Sequence, residues 1–283
     1  MIFAVAAIQF ILSGCGSVLM VEVSNPSDID RDTELIEVSL DDIKSRLKIQ
    51  DGESFILKDG ADEVPYQQTY DGKVVFPAQL KAQQVKSYRF CKGTPAEVVT
   101  KVCGDHYPKR VDDLCWENDL IGFRTYGFKE DAPSGYDIFT KRSTDLPVIP
   151  EFYRRAKDPK LTKIHKQLKK TDKRAADRFN WDSLSFHVDH GYGCDVYAVG
   201  PTLGAGTTAL LDGEDIVYPF CYDKFEVLDD GPLRFTIKLT FRPFNLGEKE
   251  NIVETRIISL DLGRYFNKTE ISFENLDSNP IVA

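Results

Sequence analysis

The chain has 283 residues, 42% apolar and 29% charged, which is enough to bury a core and too apolar for disorder. Acidic residues outnumber basic ones 45 to 36, and the net charge of −9 argues against a general nucleic-acid binder. Eighteen Phe and twelve Tyr against two Met read as strand-rich material rather than a helical bundle.

Residues 1–12 are apolar except for Gln9. The run is shorter than the ~20 residues that span a bilayer, and it suits the apolar part of a secretory leader. Leu12-Ser13-Gly14-Cys15 follows and resembles a bacterial lipobox. Residues 1–14 are therefore expected to be a lipoprotein signal, with Cys15 lipidated and membrane-anchored. The expected location is the cell envelope, facing the periplasm or outer membrane. The alternative is an N-terminal strand with an ordinary Cys. The other cysteines (Cys91, Cys103, Cys115, Cys194, Cys221) match no zinc spacing. They allow two disulfides at most, with Cys91–Cys103 a candidate, or else serve as small buried residues.

Strands are predicted at 18–24, 34–40, 54–58, 73–76, 86–91, 119–126, 136–141, 194–199, 216–222, 233–241, 252–260 and 270–274. Turn signals such as Asp51-Gly52, Asp212-Gly213 and Asp230-Gly231-Pro232 punctuate them. Many short strands with little helical periodicity predict an all-β protein, an antiparallel sandwich or barrel. No repeat or linker is visible, so 15–283 is read as one domain. One segment differs. Residues 154–178 are dense in Lys and Arg, with Leu161, Ile164 and Leu168 at helical spacing. This predicts one short basic helical excursion, either a solvated face or a patch for a polyanion.

Two stretches concentrate chemistry. In the first, Trp116, Glu117, Asn118, Arg124 and Tyr126 bring donors and acceptors beside a large aromatic. Gly122, Arg124 and Tyr126 share one face if the segment is a strand. That suits a sugar site, with a ring for C–H faces and a guanidinium for carboxylate. An internal salt-bridge cluster is the alternative. The second stretch holds His187, Asp189, His190, Tyr192, Asp195 and Tyr197 among glycines. These residue types move protons near neutral pH, or else cap one another in a turn. His187, Asp189 and His190 also have ligand chemistry, but H-x-D-H is not a specific metal pattern, so a metal is an option without being indicated and no cofactor is expected. Arg234 opens a strand as a third substrate contact or a structural ion pair.

Several runs together resemble the DUF4861 family of polysaccharide-degrading bacteria. They are Asp113-x-x-Trp116-Glu117-Asn118-Asp119, Phe123-Arg124-x-Tyr126-Gly127, Gly135-Tyr136-Asp137, His187-x-Asp189-His190-Gly191-x-Gly193-x-Asp195-x-Tyr197 and Gly231-Pro232-x-Arg234. The likeness covers roughly residues 20 to 275. It implies secretion, a polysaccharide-utilisation locus and a β-sandwich, with the mutarotase-like supersandwich as one candidate form. It also implies an oligosaccharide dehydratase acting on a non-reducing-end uronic acid, as in ulvan breakdown. Members run on past the equivalent of Glu274, so C-terminal strands are expected to be missing, and a weakened or inactive relative stays open.

Dehydration of a terminal uronate is a β-elimination. A base removes the C5 proton and the 4-hydroxyl leaves as water. On the residues present, His187 or His190 is the base, and Tyr192 or Tyr197 is the acid if neighbouring positive charge lowers its phenol pKa. Asp189 or Asp195 orients an imidazole. Arg124 with Asn118 holds the carboxylate, and Trp116, Glu117, Tyr126 and Arg234 contact the acidic oligosaccharide. Two other readings remain: a glycoside hydrolase pairing Glu117 with Asp189 or Asp195, and a carbohydrate-binding lipoprotein that turns nothing over.

Overall fold

A computed structural model describes residues 8–11, 18–127, 135–144, 147–196, 199, 203–218, 220–277 and 281–282. Strand outweighs helix, 46% to 17%, and every sheet is antiparallel, so the chain is all-β as expected. No described helix is long and apolar enough to cross a membrane. The chain packs as two compact units. One comprises 1–100 with 231–234 and 261–263, and the other holds the remainder. No composition shift marks this division, because the chain enters and leaves the first unit beside strands rather than through a linker.

The first unit holds β1 (Ile8–Ile11), β2 (Val18–Ser24), β3 (Arg31–Ser39), α1 (Leu40–Leu47), β4 (Phe55–Asp59), β5 (Asp62–Val64), β6 (Gln67–Gln68), β7 (Lys73–Leu80) and β8 (Val85–Lys92). Its sheets run β1-β2-β8-β4-β5 and β3-β7-β6. Alternation makes the core: Leu19, Val21 and Val23 of β2 meet Phe76 and Ala78 of β7 in one apolar cluster. Each such side chain stabilises by roughly 1.5–3 kcal/mol on full burial. β1 is an edge strand, pairing with β2 from Ile8 opposite Val23 to Ile11 opposite Met20. Helix α1 was not anticipated. Ser39 caps it by accepting the Asp42 amide at 3.2 Å, and Asp41 and Asp42 complement its dipole.

The second unit begins with β9 (Cys103–Tyr107), β10 (Asp113–Glu117), β11 (Ile121–Thr125) and β12 (Asp137–Lys141). Helices α2 (Ile149–Ala156), α3 (Pro159–Thr171) and α4 (Lys173–Leu184) follow. Then come β13 (Gly193–Asp195), β14 (Ala209–Asp212), β15 (Asp215–Val217) and β16 (Tyr222–Asp230). β17 (Arg234–Phe241), β18 (Phe244–Leu246), β19 (Lys249–Asp261), β20 (Lys268–Glu274) and β21 (Ile281–Val282) complete it. One sheet runs β13-β12-β11-β10-β9, another β16-β17-β19-β18 with β20 on β19, and a third β15-β14-β21. The first two sheets meet where Gly104 lies under the Phe235 ring, and a Cβ there would come within 2.2 Å of it. Three helices stand where one short excursion was predicted, because only α3 carries the lysine pattern. The described cysteines are free thiols. Cys91 and Cys103, the candidate pair, are both among these free thiols.

Candidate functional site

The register of the β9–β13 sheet decides which residues share a face. Cys115 is opposite Arg124, Arg124 is opposite Asp137, and Phe139 is opposite Asp195. With a period of two, Asp113, Cys115 and Glu117 line up with Gly122, Arg124, Asp137, Phe139, Lys141 and Asp195. This is the face expected for Gly122, Arg124 and Tyr126. Ile149, Phe152 and Tyr153 of α2 cover it, together with Phe186. A charged face is therefore buried, and its charges must be paired.

Arg124 is the centre of that pairing and is 2% exposed. Its Nε donates to Asp137 Oδ2 at 2.7 Å, and its Nη2 donates to Asp137, to Asp195 Oδ2 at 2.9 Å and to the Tyr126 hydroxyl at 3.0 Å. Tyr126 in turn donates to Asp137 at 2.6 Å. Burial opposes the Arg124 charge most strongly, but Asp137 together with Tyr126, Tyr153 and Cys115 overcomes it and holds the guanidinium more firmly protonated than usual. Burial pushes the Tyr126 phenol up to about 12, with Arg124 opposing. Among the described residues the Nη1 of Arg124 has no hydrogen-bond partner, nor has Oδ1 of Asp113, whose Oδ2 takes bonds from Arg110 at 2.8 Å and from Tyr153. An unpaired buried donor on an arginine is uncommon and is what a polar ligand satisfies. Arg110 sits at the solvent side of this cluster, its side chain 42% exposed, 5.2 Å from the Phe186 ring.

His187 lies on the far side of Asp195. Its Nδ1 is 2.7 Å from the Asp195 backbone oxygen and 3.9 Å from Asp195 Oδ2. A carbonyl only accepts, so Nδ1 carries the hydrogen and Nε2 presents a lone pair. The side chain is 45% exposed. Trp181 of α4, 55% exposed, stacks on it with ring centroids 5.8 Å apart. His187, Asp195, Arg124 and Tyr126 thus form one connected group.

Other expected site residues fall elsewhere. Trp116 is no sugar plate in this structure. It is 1% exposed, its Nε1 donates to Asn267 at 2.9 Å, and Phe123 and Tyr136 pack against it. Glu117 accepts the Val148 and Ile149 amides at 2.8 and 2.9 Å, holding the start of α2, and pairs with buried Lys141. Asn118 closes a turn through the Leu120 and Ile121 amides and donates to the Arg264 carbonyl. Neither touches Arg124's free nitrogen. Asp189 orients no imidazole; it accepts the Gly191 amide at 2.7 Å and pairs with Arg142, and these hold its carboxyl below the usual range. Gly193 serves strand pairing rather than ligand approach: at φ +119 a Cβ would meet the Thr140 carbonyl at 1.9 Å. Burial lowers the His190 pKa, with Arg155 adding to it, and its Nε2 has no partner. Burial raises the Tyr192 phenol, whose hydroxyl is likewise unpartnered. Arg234 belongs to the first unit, where Asp261 at 2.6 and 2.9 Å and Glu37 at 2.6 Å saturate it. Tyr197 and Cys15 lie outside the described residues. Among the described residues no group of three or more His, Cys, Asp or Glu is placed to hold a metal.

Asp137, Arg110 and Trp181 belong to the group and were missed. Asp137 stood inside a quoted motif, and its role required the β11–β12 register. Trp181 lies just past the basic stretch 154–178 and is the only tryptophan besides Trp116.

Comparison with known proteins follows the same chain. A family model described as a domain of unknown function, DUF4861, matches residues 23–283. "Uncharacterized protein P7" of Formosa agariphila is 26% identical over 283 aligned residues, covering 91% of this chain. The match covers 64% of that relative's length. A solved protein in glycosyl hydrolase family 38 from Enterococcus faecalis overlaps 94% of this chain and 32% of its own, at 9% identity and a TM-score of 0.44.

Proposed function

The chain belongs to the DUF4861 family, and for a member with this site we propose elimination of water from the non-reducing-end uronic acid of an oligosaccharide. The observation that carries the reading is the His187 tautomer. An exposed imidazole, fixed by the Asp195 carbonyl so that Nε2 is free to accept, is a ready general base. Support for an acidic substrate comes from Arg124, whose Nη1 has no acceptor among the described residues and which shares Asp195 with His187. The half-exposed Arg110 at the solvent side takes the substrate's carboxylate, with the covered Arg124 charge behind it. Negative charge that builds on the carboxylate as the C5 proton leaves is thereby stabilised.

The proton balance closes simply. His187 Nε2 takes the C5 proton, the C4–O bond breaks, and a 4,5 double bond forms. The departing hydroxyl takes a proton from Tyr192 or Tyr197 and leaves as water. Burial raises the Tyr192 phenol where this role asks for a lowered one, and the neighbouring Arg155 opposes the burial without overcoming it. Trp181 takes the role first given to Trp116, a plate for a sugar's C–H face. Pairing of Glu117 with Asp189 or Asp195 for glycoside hydrolysis is disfavoured, since all three carboxylates are engaged in structural bonds.

Oligosaccharides ending in glucuronate or iduronate test the reading. Rising ultraviolet absorbance of the conjugated enol ether with loss of one water and no chain scission is the expected result. Scission would mean a lyase or hydrolase, and binding without change a carbohydrate-binding protein. Attachment to the cell envelope through lipidated Cys15 is part of the same proposal. A lipid label on the wild type that is absent from Cys15→Ser is expected. Cleavage before Cys15 would remove β1, an edge strand, and leave the β2–β8 pairing in place.

A further inference from the structure

The basic helices contribute little to the core. α3 buries no residue and α4 only Ala176. Residues 157–174 contain eight cations and two carboxylates, in a chain of net charge −9. Both carboxylates are used as helix caps. Asp158 accepts the Lys160 and Leu161 amides at 2.8 and 3.0 Å, and Asp172 accepts the Ala175 amide at 3.0 Å. Lys160, Lys163, Lys166, Lys169 and Lys170 are all exposed. Like charges one turn apart repel and weaken a helix. Lys160 also stands in a first turn without an acidic residue, against the helix dipole.

The hairpin is nevertheless firmly supported. Pro159 starts α3, His165 stacks on Phe179 at 6.5 Å, and Arg155 donates to the Ser183 carbonyl at 2.8 Å. That last bond ties the end of α4 to α2, whose Ile149, Phe152 and Tyr153 are buried. A self-repelling cationic surface is thus displayed on a braced support. It leads toward the reacting group, because α4 also carries Trp181, stacked on His187.

We propose that the α3–α4 hairpin is a docking track for an anionic polysaccharide whose terminal residue reaches His187. The inference names the substrate class of the proposed site and rests on that reading for the terminal residue alone. Lysines one turn apart, with about 5 Å of axial rise, suit a polymer carrying one carboxylate per sugar ring. Leu161 and Leu168 are half-buried and Ile164 alone of the three is exposed, so α3 lacks the continuous open apolar stripe that insertion into a lipid surface uses.

The test compares the wild type with a quadruple variant, Lys160→Gln, Lys163→Gln, Lys166→Gln and Lys169→Gln. The probes are polyglucuronate, dextran of equal length, and phosphatidylglycerol vesicles. The wild type is expected to bind polyglucuronate and not dextran, with affinity falling steeply as salt rises. The variant should bind about tenfold more weakly, with a shallower salt dependence and no loss of Tm, since repulsion is relieved. Its ratio of polymer to disaccharide turnover should fall by about the same factor. Equal binding by the variant, no binding by the wild type, or tighter binding to vesicles than to polyglucuronate overturns the proposal. Lysine-dependent polymer binding without dehydration of any oligosaccharide leaves the track standing and removes the elimination. Dehydration without lysine-dependent binding does the reverse.

Discussion

Two buried arginines in the second unit invite comparison. Arg256 of β19 is 1% exposed, and each of its nitrogens finds an acceptor: Glu254 at 2.5 Å, the Tyr136 hydroxyl at 3.0 Å and the Thr208 carbonyl at 3.4 Å. Arg124 is as deeply buried and sits between two aspartates, yet its Nη1 has no acceptor among the described residues. Arg256 lies over the Phe241 ring and closes a core. Arg124 lies beside an exposed imidazole that shares Asp195. Burial and charge are common to both. What separates a structural arginine from a candidate site is the donor left over and the open neighbour.

The largest expected effect comes from removing each guanidinium. Arg124→Met and Arg256→Met both strand buried carboxylate and should cost about 3–5 kcal/mol in urea denaturation. Turnover per folded molecule should vanish only in Arg124→Met, with Arg124→Lys as the charge-keeping control. Equal losses in both would erase the distinction. His187→Ala should lower kcat by roughly 10²–10⁴-fold, while stability moves by no more than about 0.5 kcal/mol because the side chain is largely exposed. Full turnover in that variant would remove the base.

Trp181→Ala should raise KM by about tenfold, the order of one lost aromatic contact, with kcat little changed. Because Trp116 is buried, bound sugar should shield Trp181 fluorescence from iodide, and no shielding would place the sugar elsewhere. The smallest effect is on pH. The folded pKa of His190 lies below its ordinary value of 6.5. The unfolded chain therefore binds more protons, and stability falls as pH drops through 6.5 toward the lowered folded value. His190→Gln should flatten that acid limb in thermal melts across pH 5–7.5. An unchanged slope would show that His190 is not linked to folding.

Strands were legible where one face is apolar and the other wet. β2 is predicted at 18–24 and found at Val18–Ser24, because its alternation is clean. β10 was missed, since Asp113–Glu117 is buried on both faces and shows no alternation. β16 was missed for the opposite reason: most of its residues are exposed, so no period marks it. β7 was predicted to end at Phe76 but continues through Pro77, which pairs opposite Leu35.

By itself the sequence determined the all-β class, the family likeness and the two stretches that hold Arg124, Tyr126, His187 and Asp195 of the candidate site. Those follow from periodicity and from residue types in order, which are local properties of the chain. Tertiary structure alone decided that Trp116, Glu117 and Asn118 are structural while Asp137, Arg110 and Trp181 join the site. Strand register determines which side chains meet across a sheet, and a one-residue shift would turn Arg124 to the opposite face. No single strand records its register with a neighbour, so no reading along the chain could find Asp137 opposite Arg124 or Trp181 against His187.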